Sequence, residues 1–304
     1  MKISYYYRPG ASCDYHRIEL PMKYIQPISA DLNQADFSLF CRAPSMPIMD
    51  KYIIDIDDYW YLYPHHYIFN SWNAHNTPVI WIKYMKGAEL ITTTTSLLAE
   101  KIARINKNVE IIPNALPFGE DQFRISKSQS DICRFFYAGG PSHLHDLAII
   151  GPIIRQLGID FTIQGYNPSV ADWNRIKDAF GHKTKFIINQ PIESYLNTYN
   201  ADVMLIPLEN NVFNQHKSNL KILEAAATGM AVIASRIQPY YNEVDEPYVL
   251  YASTPDEWKS HINYCSHNPN FVKDQAAALG EHCKEQYDLN KINKYREQVY
   301  YSIL

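Results

Sequence analysis

Apolar and polar positions along this chain follow two alternating rhythms. Short β-branched or aromatic runs are each followed by a stretch of helical period, which is the pattern of parallel βαβ units rather than of a sandwich or a bundle. In the first part the runs predict strands at Ile3–Tyr7, Phe37–Cys41, Tyr52–Ile56, Leu90–Thr93 and Val109–Pro113. Helices are expected near His16–Tyr24, Pro78–Lys86 and Ser96–Ile105. A second series predicts strands at Phe135–Ala138, Asp160–Gln164, Thr184–Ile188, Val203–Pro207 and Ala231–Ser235, with helices near Leu144–Leu157, Ala171–Phe180, Glu193–Tyr199 and Ser218–Thr228. After Pro255 the pattern is helical to the end, and the last helix, Asn290–Tyr301, has no strand to follow it.

Between the two series the chain loses apolar periodicity and gains Ser, Gln and charge, which marks a linker. The expected organisation is an N-terminal domain over 1–117, a linker over 118–131, a second domain over 132–285, and a terminal helix over 286–304 that packs back on the first domain. The fold class is α/β, with two Rossmann-like, doubly wound domains expected to face each other across a cleft. Ligands in such sheets bind beyond the carboxyl ends of the strands.

Composition narrows the partners. The 304 residues fit two domains, and 46% hydrophobic with 20% charged residues is a normal globular balance. Net charge is −4, so no overall basic field favours nucleic acid or an anionic membrane. Residues 1–117 are neutral, with 11 basic and 11 acidic side chains, and the excess acid is C-terminal. The five cysteines are scattered without metal-ligand spacing, which points to free thiols in a reducing cytoplasm. No run is long and apolar enough for a signal peptide or a membrane span.

The densest chemical signal begins at Asn214. Ser218 is placed to cap a helix that ends at Gly229 before the strand Ala231–Ser235. The first-turn amides of Asn219, Leu220 and Lys221, with Lys217 just outside, suit a phosphate, and Glu224 suits a sugar hydroxyl pair. The plain alternative is a cap, a solvated lysine and a salt-bridging glutamate. The segment resembles the donor-site motif of retaining GT-B glycosyltransferases of the family-4 type, in which two Glu residues bracket a seven-residue span ahead of a small-residue helix, Gly and a Val/Ile strand. Here Glu224, Ala225–Thr228, Gly229 and Ala231–Ser235 match, while His216 stands at the first Glu position. The segment Lys217–Glu224 is similar to a divergent K-S-N-x-K-x-x-E form of the motif. Ala88–Thr95, Ile111–Ala115 and Tyr137–His143 resemble further family segments in order, so the likeness spans nearly the whole chain. It implies donor contacts from Gly139, Gly140, His143, His216, Ser218, Asn219, Leu220 and Glu224, with Lys217 stabilising the leaving diphosphate.

In the N-terminal half, Tyr52–Ile56 runs into Asp57 and Asp58. Asp55 and Asp57 form a D-x-D that would hold a divalent cation in a metal-dependent GT-A transferase. In a GT-B enzyme Asp57 or Asp58 would instead meet donor or acceptor hydroxyls; a solvated strand end is the remaining reading. The aromatic stretch from Tyr59 to Trp72 offers Tyr59 and Trp60 for stacking on a sugar or an unstacked base. Arg8, His16 and Arg17 are expected to meet an anionic acceptor.

The resemblance implies a cytoplasmic nucleotide-sugar glycosyltransferase, retention of configuration, and no cofactor or metal beyond the nucleotide-sugar co-substrate. The acceptor is a surface glycan or, given a Tyr- and Asn-rich composition like that of phage-encoded transferases, a hydroxymethylated base such as 5-hydroxymethylcytosine in phage DNA. A nucleotide-sugar 2-epimerase of the same architecture, the GT-A enzyme using Asp55 and Asp57, and a non-catalytic sugar-nucleotide binder are the alternatives.

Overall fold

The computed structural model describes the chain except residues 27, 30, 45, 129, 131 and 171. It falls into two compact units. Unit 1 holds Met1–Ala115, Gln215–Ser218 and Tyr287–Leu304; unit 2 holds Leu116–Asn214 and Asn219–Gln286.

Among the described residues, unit 1 is built on strands β1 (Lys2–Tyr6), β2 (Ile28–Ser29), β3 (Phe37–Cys41), β4 (Tyr52–Ile56), β5 (Leu90–Thr93) and β6 (Val109–Ile111), all parallel, in the order β2-β1-β3-β4-β5-β6. The runs FSLFC and YIIDI are buried at every position because helices cover both faces of a parallel sheet. Alternation then sorts the side chains. Phe37, Leu39 and Ile53 pack on one face with Ile18, Val299 and Tyr300, while Phe40, Ile54 and Ile56 pack on the other with Trp60, Trp81 and Met85. The terminal helix Leu289–Tyr301 thus closes the first face of this sheet, with the Tyr300 ring edge-on to Phe37 at 6.0 Å.

Unit 2 has strands β7 (Phe135–Ala138), β8 (Phe161–Tyr166), β9 (Thr184–Ile188), β10 (Val203–Ile206), β11 (Ala231–Ser235) and β12 (Leu250–Ala252) in the parallel order β12-β11-β10-β7-β8-β9. This is the doubly wound order, with its switch point between β7 and β10; in unit 1 the switch point lies between β1 and β3. Each unit therefore offers one crevice at the carboxyl ends of two strands whose connections leave in opposite directions.

Several expectations are corrected. The stretch Leu144–Leu157 is two helices, Leu144–Ala148 and Gly151–Leu157, because Pro152 donates no amide and disfavours helical geometry in the residue before it. The segment 193–199 is only a 3₁₀ turn, Tyr195–Thr198. The polar stretch after Leu116 is anchored in unit 2: Phe123 is buried, Gln122 Nε2 donates to Ile192 O (2.9 Å), and Gln122 Oε1 accepts from Leu196 N (3.1 Å). In β8 the register shifts at Gly165, whose φ is +98°; a Cβ there would lie 2.3 Å from Gly139 O. Only glycine lets this bulge meet the turn that follows β7.

Candidate active site

In unit 1 the cluster forms where β1, β3 and β4 end. Arg42, the residue after β3, has φ +67°, a left-handed conformation that costs energy for a residue with a Cβ. Held there, its guanidinium reaches both acids beyond β4: Nε to Asp57 Oδ1 (2.7 Å), Nη2 to Asp57 Oδ2 (3.1 Å) and Nη2 to Asp58 Oδ2 (2.5 Å). Lys217 Nζ stands 3.5 Å from Asp58 Oδ1. Burial raises the Asp57 carboxyl, but the Arg42 charge and hydrogen bonds outweigh it and hold Asp57 below the usual carboxylate range. Asp57 is thus held as an anion, and both side chains face a partly open corner, where they can accept hydrogen bonds from hydroxyls. The Tyr59 ring stacks on the His216 ring at 4.8 Å and 21°.

Beneath this corner lies a dry ion pair. Arg17 and Asp55 are both buried; Nε donates to Asp55 Oδ1 (2.9 Å) and Nη2 to Oδ2 (2.8 Å), while Thr92 Oγ1 donates to Oδ2 (2.6 Å). Arg17 Nη1 continues to Asn114 Oδ1 (3.1 Å), and Asn114 Nδ2 donates to Ser218 Oγ (2.7 Å). Three expectations change here. Arg17 is a core residue and cannot meet an acceptor. Asp55 is sealed in the core by three hydrogen bonds, two from Arg17 and one from Thr92, so it does not form a D-x-D clamp with Asp57. Ser218 spends its hydroxyl on Asn114 rather than on capping, and the helix Leu220–Ala227 starts from Asn219.

His16 and Trp60 are also core residues, 2% and 4% exposed, so neither is a contact surface. Arg8 keeps an exposed side chain but is chelated by Asp14 through Nε (2.7 Å) and Nη2 (2.7 Å). Burial, with the Arg17 charge adding and Asp57 opposing, pulls the His16 imidazole down to about 3, so it is neutral. The unfolded chain takes up this proton near pH ~6.5 and the folded chain does not. Stability is therefore undiminished above that pH and falls as pH drops toward 3, by about 1.4 kcal/mol per unit. In urea unfolding below pH ~6 the native protein is expected to lose that much more per pH unit than His16→Gln; equal slopes would contradict a buried neutral imidazole.

In unit 2 the corresponding crevice lies at the ends of β7 and β10. Lys221 Nζ donates to Ala138 O (2.6 Å) at the end of β7 and lies 5.5 Å from the centre of the Tyr137 ring. Of the two glycines that follow, Gly139 gives its amide to Gln164 O (3.1 Å), whereas Gly140 adjoins open space. In the helix Leu220–Ala227 the amides of Ile222 and Leu223 reach Asn219 O (2.8 and 3.2 Å); those before them precede the first intrahelical bond. The structure thus brings Lys221, Gly140, Asn219 and Leu220 to one crevice. Glu224 lies deeper, 5% exposed, and its carboxylate accepts from the hydroxyls of Tyr195 and Tyr199. Burial raises its pKa, opposed by Lys221 and those hydroxyls. A sugar diol reaches Glu224 only by displacing a tyrosine. His143 Nδ1 pairs with Asp146 Oδ2 (2.7 Å), and Asp146 Oδ1 accepts from Glu209 N (2.7 Å) and Asn214 Nδ2 (3.0 Å), which fixes the loop beyond β10.

Sequence reasoning missed Arg42, the Lys221 side chain, and Tyr195 with Tyr199. The first carries a readable signal: a lone arginine directly after a largely apolar strand beside a switch point. The tyrosines carry none, since their role depends on where Glu224 points.

The sequence model of the glycosyl transferase-like family matches residues 147–295. No curated protein sequence matches the chain. Among solved structures, sucrose-phosphate synthase from Thermosynechococcus elongatus is 13% identical with a TM-score of 0.65, covering 94% of this chain and 78% of that one. A glycosyltransferase from Rickettsia africae is also 13% identical at TM-score 0.65, covering 94% and 80%. HepE from Anabaena, solved with UDP, is 11% identical at TM-score 0.66, covering 97% and 84%. Among the described residues no helix is long and apolar enough to cross a membrane. With two doubly wound parallel sheets and these neighbours, the chain has the GT-B fold, and over residues 147–295 its sequence is similar to the glycosyl transferase-like family.

Proposed function

We propose that this enzyme transfers a sugar, with retention, from a nucleoside-diphosphate sugar to a glycan hydroxyl, unit 2 binding the donor and unit 1 the acceptor. The observation that carries the reading is the Lys221 ammonium at the end of β7, beside Gly140 and the start of the helix Leu220–Ala227. A cation, an unobstructed glycine and first-turn amides at a switch point suit a diphosphate. HepE, of like fold, has been solved with UDP-glucose, which supports the same ligand class here.

In the reaction the bond from the sugar C1 to the diphosphate oxygen breaks and the acceptor oxygen bonds C1 on the same face. The acceptor proton passes to the departing phosphate oxygen. Lys221 and the helix amides stabilise the growing charge, so no metal is needed there. Asp57 and Asp58 accept hydrogen bonds from acceptor hydroxyls, and Arg42 aims them. Hydrogen-bond acceptors already paired with Arg42 and Lys217 suit neutral sugar hydroxyls, and the net charge of −4 offers no basic field for DNA, which favours a glycan.

The test incubates UDP-, GDP- and ADP-linked sugars without added magnesium or manganese. Each is run alone, with oligosaccharides, or with hydroxymethylated DNA. Free nucleoside diphosphate formed only with an oligosaccharide is the expected result. Sugar isomerisation without acceptor would replace this reading by an epimerase, transfer to DNA alone would overturn the acceptor class, and an absolute need for added metal would overturn the charge assignment.

A further inference from the structure

At the same switch point of unit 1, two sulfurs that sugar transfer does not use converge on Asp57, a carboxylate the proposed acceptor site shares. Cys13 follows β1, Cys41 ends β3, and Asp57 follows β4; their ligand atoms all lie within 4.8 Å of one another. Cys41 Sγ is 3.7 Å from Asp57 Oδ1, and Cys13 Sγ is 3.4 Å from Asp14 Oδ1. Cys41 is buried and Cys13 half-buried, so the group opens to one side only.

We propose that Cys13, Cys41 and Asp57 form a binding site for a thiophilic divalent cation, with zinc as the matching ion. Two sulfurs and one oxygen are a borderline-soft donor set that magnesium and calcium refuse. Tetrahedral zinc–thiolate geometry sets its sulfurs about 3.8 Å apart, so the observed spacing closes on an ion by small side-chain rotations. Charge also balances. A dication that displaces the two thiol protons leaves the net charge of the corner unchanged. The guanidiniums of Arg8, whose Nη2 lies 3.7 Å from Cys13 Sγ, and of Arg42, on Asp57, then face two thiolates. Three protein ligands leave the fourth position to water or a ligand.

The experiment uses the full chain, reduced with a phosphine, and cadmium as a spectroscopic probe. A sulfur-to-cadmium charge-transfer band that saturates at one equivalent is expected, and it is lost in Cys13→Ser and in Cys41→Ser but kept in Cys133→Ser. Zinc at one equivalent is expected to displace the cadmium and to slow alkylation of Cys13 by iodoacetamide at least about tenfold. The second readout needs no variant, so it holds even where Cys41→Ser fails to fold. A protein that shows no stoichiometric band, or whose Cys13 is alkylated equally fast with and without zinc, overturns the site.

Discussion

Arg17→Ala is expected to destabilise unit 1 by about 3–5 kcal/mol, the usual cost of leaving one partner of a buried pair alone. The substitution strands Asp55, whose two oxygens lose both guanidinium bonds and keep only Thr92. It also removes a donor to Asn114, the residue that holds Ser218. Arg17→Lys is not expected to rescue it, because an ammonium cannot span both oxygens. Arg17→Met combined with Asp55→Leu is expected to recover most of the loss, since two apolar side chains leave no unpaired charge. Hydrogen exchange at the β3 and β4 amides reads this locally. Protection in Arg17→Ala equal to that of the native chain would show that the pair is not the keystone its burial implies.

Lys221→Ala is expected to lower kcat/KM for the donor about 10²–10³-fold, the range for removing one preorganised group aimed at developing charge. The effect should be larger with the diphosphate sugar than with a donor of weaker leaving-group charge, and it should appear in kcat as well as KM. Lys217→Ala removes the 3.5 Å pairing with Asp58 and is expected to lower kcat/KM for the acceptor instead. Turnover near the native rate in Lys221→Ala would remove the assigned phosphate site.

Much of the architecture was legible because a parallel sheet buried on both faces writes itself as uninterrupted apolar runs. β3, β4, β5, β7, β9 and β11 have the bounds their runs predict. β2 and β12, two and three residues long, escaped because such runs carry no period. The helix Phe69–Ala74 lay hidden in the aromatic stretch, where Trp60 is core and Tyr61 and Tyr67 are exposed. The site was readable where chemistry follows from order along the chain, as at Asn219–Glu224. It was not readable where it depends on which residues pair across strands. Arg17 looked like a surface cation because nothing local announces that Asp55, 38 positions away, waits beside it in the core. Arg42 was passed over for the converse reason: its partners, 15 and 16 positions on, lie beyond the next strand.

The most direct measurement is calorimetric titration of the protein with UDP, GDP and ADP, each beside its own nucleoside. A diphosphate held by Lys221 and the amides at the start of the helix Leu220–Ala227 should make one nucleotide bind at least about 100-fold more tightly than its nucleoside, a gap of about 2.7 kcal/mol. Lys221→Ala should close most of it. A nucleoside that binds as well as its diphosphate, or a gap that survives the lysine substitution, would contradict the account.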